Sequence, residues 1–475
     1  MLEHHEFSNI IYQELSFDPN QEQENLISLL SQFSLDPESS VFILKGYAGT
    51  GKTSIVSALV NSLESIKMKS VLLAPTGRAA KVLASYSNAK ATTIHRKIYR
   101  LKTYVSGKTT IATVPNKHKD TIFIVDEASM ISEYNYESGN IFSDQNLLAD
   151  LIYYVQEGKN CKLILVGDTA QLPPVGIPIS PALDAGKVEY EFQLKICEYE
   201  LKMVMRQALE SGILYNATQI REKIRNEFPI EPFFDTEGFK DIHRLNGGWE
   251  LQEELSSAFY SELYNESIVI CRSNKRANIY NREIRNRILY RENEIDSGDQ
   301  LMVIKNNYFW LDSKKGEDFI ANGDLIEVTR VLKTEELYGH RFADISIRFS
   351  DNDEEKELDV KVFLDTLMLD SPSLSYENSS KLYNDILNDY ADLPTQRKRI
   401  EAVKNDPYYN ALQIKYAYAM TCHKTQGGQW NNVFIDQGYV TPEMVDTEYL
   451  RWLYTAMTRA TKKIHLIGFN PSFFK

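Results

Sequence analysis

Three short stretches of this chain carry side chains whose types and spacing suit chemistry on a phosphorylated anion. The first is Gly46, Tyr47, Ala48, Gly49, Thr50, Gly51, Lys52, Thr53, a glycine-rich turn with the spacing GxxxxGKT. Glycines let the backbone fold tightly enough for successive amides to converge on phosphate oxygens. A helix opening at the end of such a turn adds the positive end of its dipole. The loop from Gly46 through Ala48, Gly49, Thr50 and Gly51 is therefore expected to cradle the phosphates of a nucleoside triphosphate. Lys52 should reach its β and γ phosphates, and the Thr53 hydroxyl should hold Mg2+. The second stretch ends in Asp126 and Glu127, where Asp126 is expected to hold the metal and Glu127 to polarise an attacking water. An acidic pair at a strand end is often only a solvated cap; the upstream loop decides for catalysis. The third, Gly167 to Val175, offers Gln171 as a γ-phosphate sensor on a loop stiffened by Pro173 and Pro174. Standing alone it would read as a rigid turn after a core strand.

These groups need strands and helices to aim them. Val41, Phe42, Ile43 and Leu44 form a short apolar run before the loop, and Ser54 to Leu63 has the apolar periodicity of a helix after it. Continuous apolar runs at Thr121 to Val125 and Lys162 to Val166 suit parallel strands covered on both faces, with functional groups gathered at their carboxyl ends. At 475 residues, 43% hydrophobic and 25% charged, the chain is long enough for several cores, and two to four domains are expected. A formal charge of -13 argues against a protein that coats nucleic acid along its whole surface. It leaves room for a local basic groove, because acidity concentrates in stretches such as Asp351 to Asp359. The cysteines Cys161, Cys197, Cys271 and Cys422 are scattered, with neither a disulfide framework nor zinc spacing, and read as buried thiols. No apolar run approaches membrane-spanning length, and the segment from Met1 to Glu6 lacks the features of a secretory signal, so a cytoplasmic chain without membrane association is expected.

Further stretches extend the pattern in order: Gln21; Ala74 to Lys81; Thr92 to His95; Leu201 to Gln207; Met420 to Gly427; and Leu453 to Ala460. Together with the three above they resemble the motif set of superfamily one helicases, from about Gln21 to about Arg459. The His-Lys-Thr-Gln-Gly run at His423 to Gly427 is similar to the RecD and Dda branch. The resemblance implies that Gln21 reads the adenine base of ATP. It also implies that Pro75, Thr76, His95, Asn274, Thr421 and His423 contact single-stranded DNA, that Arg206 and Arg459 reach the γ phosphate, and that movement runs 5′ to 3′. Arg459 would belong to a second lobe, so hydrolysis would require lobe closure. Tyr47 stands where relatives commonly carry proline, and it is expected to contribute backbone rather than side-chain chemistry to the phosphate cradle, with little effect on activity.

The expected fold is α/β: two RecA-like parallel-sheet motor domains with an inserted β-hairpin pin and an inserted small SH3-like β-barrel. The first motor domain spans 1–207, with the pin at about 99–115, where two β-prone runs flank a Ser-Gly turn and Tyr104 would serve as a wedge. The second motor domain is divided into 208–320 and 412–475. Between them, 321–411 should hold the barrel, from strand-like runs at Leu325 to Leu332, Arg341 to Phe349 and Glu357 to Leu369, plus a polar helical stretch from Ser371 to about Pro407 that packs on the barrel or arches toward the pin. The activity implied is that of an ATP-dependent DNA helicase using ATP and Mg2+. It would act as a monomer on single-stranded DNA and duplex junctions, with replication or recombination proteins as partners. A superfamily one RNA helicase and an ATP-switched nucleic-acid-binding module without unwinding are the alternatives.

Overall fold

Val41 and Ile43 pack into one apolar core while Phe42 and Leu44 pack into another, and the same division separates Phe123 and Val125 from Ile122 and Ile124. Side chains alternate across a strand, so runs apolar at every position must be covered on both faces. The computed structural model describes residues 3–474 except 88, 104–108, 133–145, 175, 205–210, 227–230, 261–265, 312–318, 350–356 and 372, with backbone alone at 101–103 and 109–111.

The first lobe contains, in chain order, α1 (His4–Gln13), α2 (Gln21–Leu35), β1 (Val41–Gly46), α3 (Lys52–Ser62), β2 (Lys69–Ala74), α4 (Gly77–Ser87), β3 (Ala91–Thr93), α5 (Ile94–Ile98), β4 (Tyr99–Thr103), β5 (Thr109–Thr113), β6 (Lys119–Val125), α6 (Leu147–Glu157), β7 (Lys159–Gly167), α7 (Ala185–Phe192) and β8 (Ile196–Leu201). One parallel sheet runs β3-β2-β6-β7-β1-β8. β4 and β5 pair antiparallel, Tyr99 opposite Thr113 and Thr103 opposite Thr109, within the segment expected to be the pin.

The second lobe opens with α8 (Gly212–Arg225), β9 (Ile242–Leu245), α9 (Gly248–Phe259), β10 (Ser267–Cys271) and α10 (Asn274–Glu283). A closed barrel follows, built from β11 (Gln300–Val303), β12 (Leu325–Leu337), β13 (His340–Phe349), β14 (Leu358–Phe363) and, after α11 (Tyr376–Asp389) and α12 (Gln396–Lys404), β15 (Leu412–Tyr416). The chain then returns to the lobe as β16 (Ala419–Thr421), α13 (Cys422–Thr425), β17 (Trp430–Asp436), α14 (Thr447–Met457) and β18 (Ala460–Ile467). Its parallel sheet runs β16-β10-β17-β18-β9.

The barrel is wider in sequence than 321–411, since β11 and β15 pair with each other and supply its closing seam. The expected strand at Glu357 to Leu369 ends early, at Phe363. There the Thr366 hydroxyl donates to the carbonyls of Phe363 and Ile414, both at 2.9 Å, and turns the chain. α11 and α12 have no core of their own; Leu382, Ile386 and Val403 bury themselves with Phe342 and Phe363 of the barrel. The barrel interior is in turn continuous with Val269 and Phe434 of the second sheet. Cys271 and Cys422 are buried, Cys161 and Cys197 half-buried, and all four are free thiols. Among the described residues no helix is long and apolar enough to cross a membrane.

The junction of barrel and lobe is pinned by a buried ion pair. Arg285 donates through Nε and Nη2 to the two oxygens of Asp299, each at 2.9 Å, and Arg291 and Tyr418 add bonds to Asp299 Oδ1 at 2.8 and 2.9 Å. Asp299 is fully buried. Removing one member of such a pair strands the other charge in a dry site. Asp299→Ala is therefore expected to lower unfolding free energy by about 3–5 kcal/mol, read from urea unfolding; a change within experimental error would show that water satisfies Arg285.

Candidate nucleotide site and adjoining groove

The loop after β1 owes its shape to glycines that no other residue can replace cheaply. Gly49 and Gly51 sit at φ +76° and +87°, and a Cβ on Gly51 would lie 2.6 Å from Gln23 Nε2. That close approach is a contact: Gln23, fully buried on α2, donates to the Thr50 carbonyl at 2.9 Å. Its own placement comes from a reciprocal cap, with Asn20 N donating to Gln23 Oε1 at 2.9 Å and Gln23 N donating to Asn20 Oδ1 at 3.0 Å. Gln21, expected to read adenine, is instead exposed and bonds to Glu24 and Asn25 at 3.2 and 3.4 Å. The structure does not bring it to the cleft. The spacing Asn-x-x-Gln from Asn20 to Gln23 was the available signal.

Between the lobes lies a cleft of about 510 Å³, lined by Lys52, Thr53, Asp126, Glu127, Gln171 and Arg459 among others. Lys52 Nζ donates to the loop carbonyls of Gly46 and Tyr47 at 2.6 and 2.8 Å. Asp126 and Glu127 emerge at the end of β6, and Glu127 adopts φ +53°, uncommon for a residue with a Cβ. Its amide donates to Asp126 Oδ1 at 2.9 Å, and the Asp126 amide donates to Leu73 O at 3.0 Å, which holds the turn. Burial, with the neighbouring Glu127 charge, pushes the Asp126 carboxyl up to about 6, against the pull of Lys52 and Arg459. A carboxylate so placed gains from a cation beside it. The donors here, Asp126 and the Thr53 hydroxyl, are the hard oxygens that Mg2+ takes. Among the described residues no three His, Cys, Asp or Glu side chains are grouped to hold a metal by themselves. A magnesium completed by phosphate oxygens needs no such cage.

The far wall of the cleft comes from α14 and the turn after it. Arg459, 4% exposed, reaches Glu127 Oε1 with Nη1 at 3.5 Å and donates to Gly428 O at 3.3 Å and, through Nε, to Thr455 O at 3.2 Å. With its amide turned so that nitrogen faces the carboxylate, Gln171 donates to Glu127 Oε2 at 3.2 Å and accepts from Arg459 Nη2 at 3.1 Å. Three residues from two lobes thus form one closed contact. The loop from Asp168 to Leu172 is tied to the second lobe along its length. Arg451 donates to Thr169 O at 2.9 Å, Leu172 N donates to Thr455 Oγ1 at 2.8 Å, and Gln426 Nε2 donates to Leu172 O at 2.7 Å. None of Arg451, Thr455 and Gln426 stood out in the sequence as seam residues. Arg206 lies outside the described residues.

The residues expected at a nucleic acid surface fall at the carboxyl ends of neighbouring strands. Pro75 and Thr76 follow β2, and His95 follows β3, which pairs with it through Ala74 and Thr93. Asn274 follows β10, and Thr421 ends β16, paired to it through Cys271. His423 sits two residues further, in α13. Gly427, at φ +74°, lets the two edges meet, since a Cβ there would lie 2.6 Å from the Ala79 Cβ and 3.1 Å from Thr76 Oγ1. Arg78 crosses the same junction, stacked 3.8 Å over the Trp430 ring and donating to Gln429 O at 2.8 Å. Burial holds His95 down to about 4 and lowers His423 as well, so neither ring is a cation at neutral pH. Thr76 Oγ1 accepts from Ala79 N at 3.2 Å, and Asn274 donates to Asp370 O at 3.0 Å. Tyr104 lies outside the described residues.

A phosphate loop facing an arginine from a second parallel-sheet lobe defines a two-lobed P-loop nucleoside triphosphatase. Residues 20–227 match the AAA domain family and residues 416–467 match the UvrD-like helicase C-terminal domain. The chain is 23% identical over 452 residues to the ATP-dependent DNA helicase dda of Enterobacteria phage T4, covering 89% of this chain and 93% of that one. It is 30% identical over 178 residues to the ATP-dependent RecD2 DNA helicase of Deinococcus radiodurans, covering 37% of this chain and 21% of the relative. The crystal structure of Pif1 helicase from Bacteroides in complex with ADP-AlF3 and ssDNA aligns with a TM-score of 0.47 at 16% identity, over 96% of this chain and 94% of that one. In sequence the chain is thus similar to superfamily one helicases of the RecD and Dda group.

Gln23→Ala leaves Thr50 O and Asn20 N without their partners and is expected to weaken nucleotide binding about fivefold, whereas Gln21→Ala should change it less than about twofold. Titration with a fluorescent ADP analogue separates the two, and the reverse order would restore Gln21 to the site.

Proposed function

We propose that this protein is an ATP-dependent DNA helicase that moves 5′ to 3′ along single-stranded DNA and opens duplex at junctions, acting as a monomer in the cytoplasm. The observation that carries the reading is the contact of Arg459 with Glu127 and Gln171 across the seam. Hydrolysis needs positive charge where the transferring phosphoryl group gains negative charge, and an arginine supplied by a second lobe makes that charge conditional on lobe position. Glu127 is the group that orients and polarises water, Gln171 reports the γ phosphate to the loop that the second lobe grips, and Lys52 draws the β and γ phosphates toward α3. Mg2+, held by Thr53 and Asp126, would supply charge neutralisation between those phosphates. Arg206 is read as a second arginine toward the γ phosphate.

Closure and release of the lobes change the spacing between the β2–β3 edge of one sheet and the β10–β16 edge of the other. Thr76 and His95 on one side, with Asn274, Thr421 and His423 on the other, would then grip the strand alternately. The paired strands β4 and β5 are read as the pin that splits the duplex, with Tyr104 covering an exposed base step. The closed barrel is read as SH3-like, carrying α11 and α12 as a wall beside the strand. The first motor domain is read as 1–207 and the second as the parts of 208–475 that flank the barrel strands β11 to β15. Replication or recombination proteins are the partners such a motor would serve.

Forked duplexes with only a 5′ or only a 3′ single-stranded tail test the polarity: unwinding confined to the 5′-tailed substrate is expected, and preference for the 3′ tail would refute it. Lys52→Ala should abolish both ATP turnover and unwinding, and Arg459→Ala should reduce turnover by roughly a thousandfold while nucleotide still binds. Tyr104→Ala is expected to keep strand-stimulated hydrolysis and lose duplex opening; equal loss of both would remove it from the wedge role.

A further inference from the structure

Arg459 meets the residues at the ends of β6 and β7, and a different side chain of the second lobe meets the phosphate loop itself. Tyr454, on α14 and 1% exposed, accepts the Ala48 N–H at 2.9 Å and donates its own hydroxyl hydrogen to Asp168 Oδ2 at 2.6 Å. Burial together with Asp168 pushes this phenol far above its ordinary value, so it stays protonated and keeps donating. The other oxygen of Asp168 accepts from Ala170 N at 2.9 Å. One hydroxyl thus joins the phosphate loop, the γ-sensing loop and the second lobe in a dry site, where a hydrogen bond is stiff and leaving its groups unpaired is costly.

The residue before Ala48 is held as well. The Tyr47 ring lies 4.4 Å under the guanidinium of Arg221 on α8, and its hydroxyl donates to Glu200 Oε1 at 3.0 Å. Arg221 is 6% exposed and pairs through Nη2 with Glu222 Oε1 at 2.7 Å, while its Nε and Nη1 have no hydrogen-bond partner among the described residues and the ring face covers the rest of that charge. Tyr47 also belongs to the same apolar cluster as Ile213, Ala217 and Leu450 of the second lobe. Besides its backbone in the phosphate cradle, Tyr47 thus offers a side chain to the seam. Consecutive loop residues, Tyr47 and Ala48, therefore each rest on the second lobe.

We propose that Tyr454 is a positioning residue through which the second lobe sets the shape of the phosphate loop, by a route separate from Arg459. This rests on the helicase reading above. Arg459 supplies charge at the cleft, whereas Tyr454 touches a loop amide and a buried carboxylate and acts through them. When the lobes part, Ala48 and Asp168 lose their shared partner together and the loop is released. When they close, the relay forms again and fixes the amides that follow Ala48.

Tyr454→Phe keeps the ring and removes only the hydroxyl. The kcat for ATP hydrolysis at saturating single-stranded DNA is expected to fall about tenfold, with KM for ATP within about threefold and the melting midpoint within a few degrees of the parent. A variant with kcat within twofold of the parent, or one whose loss lies in KM alone, overturns the proposal. A kcat loss accompanied by a large fall in melting midpoint overturns it too, in favour of a purely structural tyrosine. Combining Tyr454→Phe with Arg459→Lys gives a second reading: losses that multiply support separate routes, and a double variant no worse than Arg459→Lys alone overturns them. A parent with no strand-stimulated turnover sinks the helicase reading itself, and this proposal with it, whereas a fully active parent matched by the Phe variant sinks only the proposal.

Discussion

A guanidinium taken out of water must find partners, and Arg459 adds to the carbonyls of Thr455 and Gly428 in its own lobe a carboxylate, Glu127, that belongs to the other. The penalty for burying that charge without a counter-charge is several kcal/mol, and its pairing with the Glu127 carboxylate forms only when the two sheets are face to face. Much else in the architecture serves that contact. β6 must end where Glu127 can turn into a left-handed conformation, β7 must deliver Gln171 beside it, and α14 must approach closely enough for its last turn to reach the cleft. The same requirement is served by the hydrogen bonds from the side chains of Arg451, Thr455 and Gln426 to the backbone of Thr169, Gln171 and Leu172, which fix distance more firmly than apolar packing alone.

What was legible in the sequence was what is local. The strand, glycine turn and helix from Val41 to Leu63 occupy one short stretch, and their pattern of residue types states their geometry. The acidic pair after β6 and the glutamine after β7 were legible for the same reason. Gln21 and Gln23 show where locality fails. Two residues rotate a helix by about 200°, so choosing the wrong glutamine places the side chain on the opposite face. Only the reciprocal cap with Asn20 distinguishes them. The barrel's limits were missed because β11 and β15 are short and take their identity from each other across more than a hundred residues of chain.

Contacts across the seam were not legible at all. Nothing in the residues around Tyr454 announces that its hydroxyl meets Ala48, some four hundred positions earlier. Likewise Tyr47 looks, in one dimension, like an aromatic residue in place of a proline, and becomes a packing element only when α8 lays Arg221 over it. Sequence patterns report the periodicity of an element and the chemistry at its end. They do not report which distant element will cover it.

The barrel sits inside the second lobe in an unusual sense: β10 and its neighbour β16 are adjacent in the sheet, yet residues 272–418 intervene between them. During synthesis, β10 must therefore wait for the last portion of the chain before it acquires either strand that flanks it, β16 or β17. Bringing such distant ends together carries a loop-closure cost that grows only slowly with length. Closing the barrel first reduces that loop, because Leu301 pairs with Tyr416 and sets the two ends of the excursion side by side. The inserted module then acts as a folding clamp for the lobe that contains it, and a nascent chain truncated before β15 would present an unfinished, edge-exposed sheet to its surroundings.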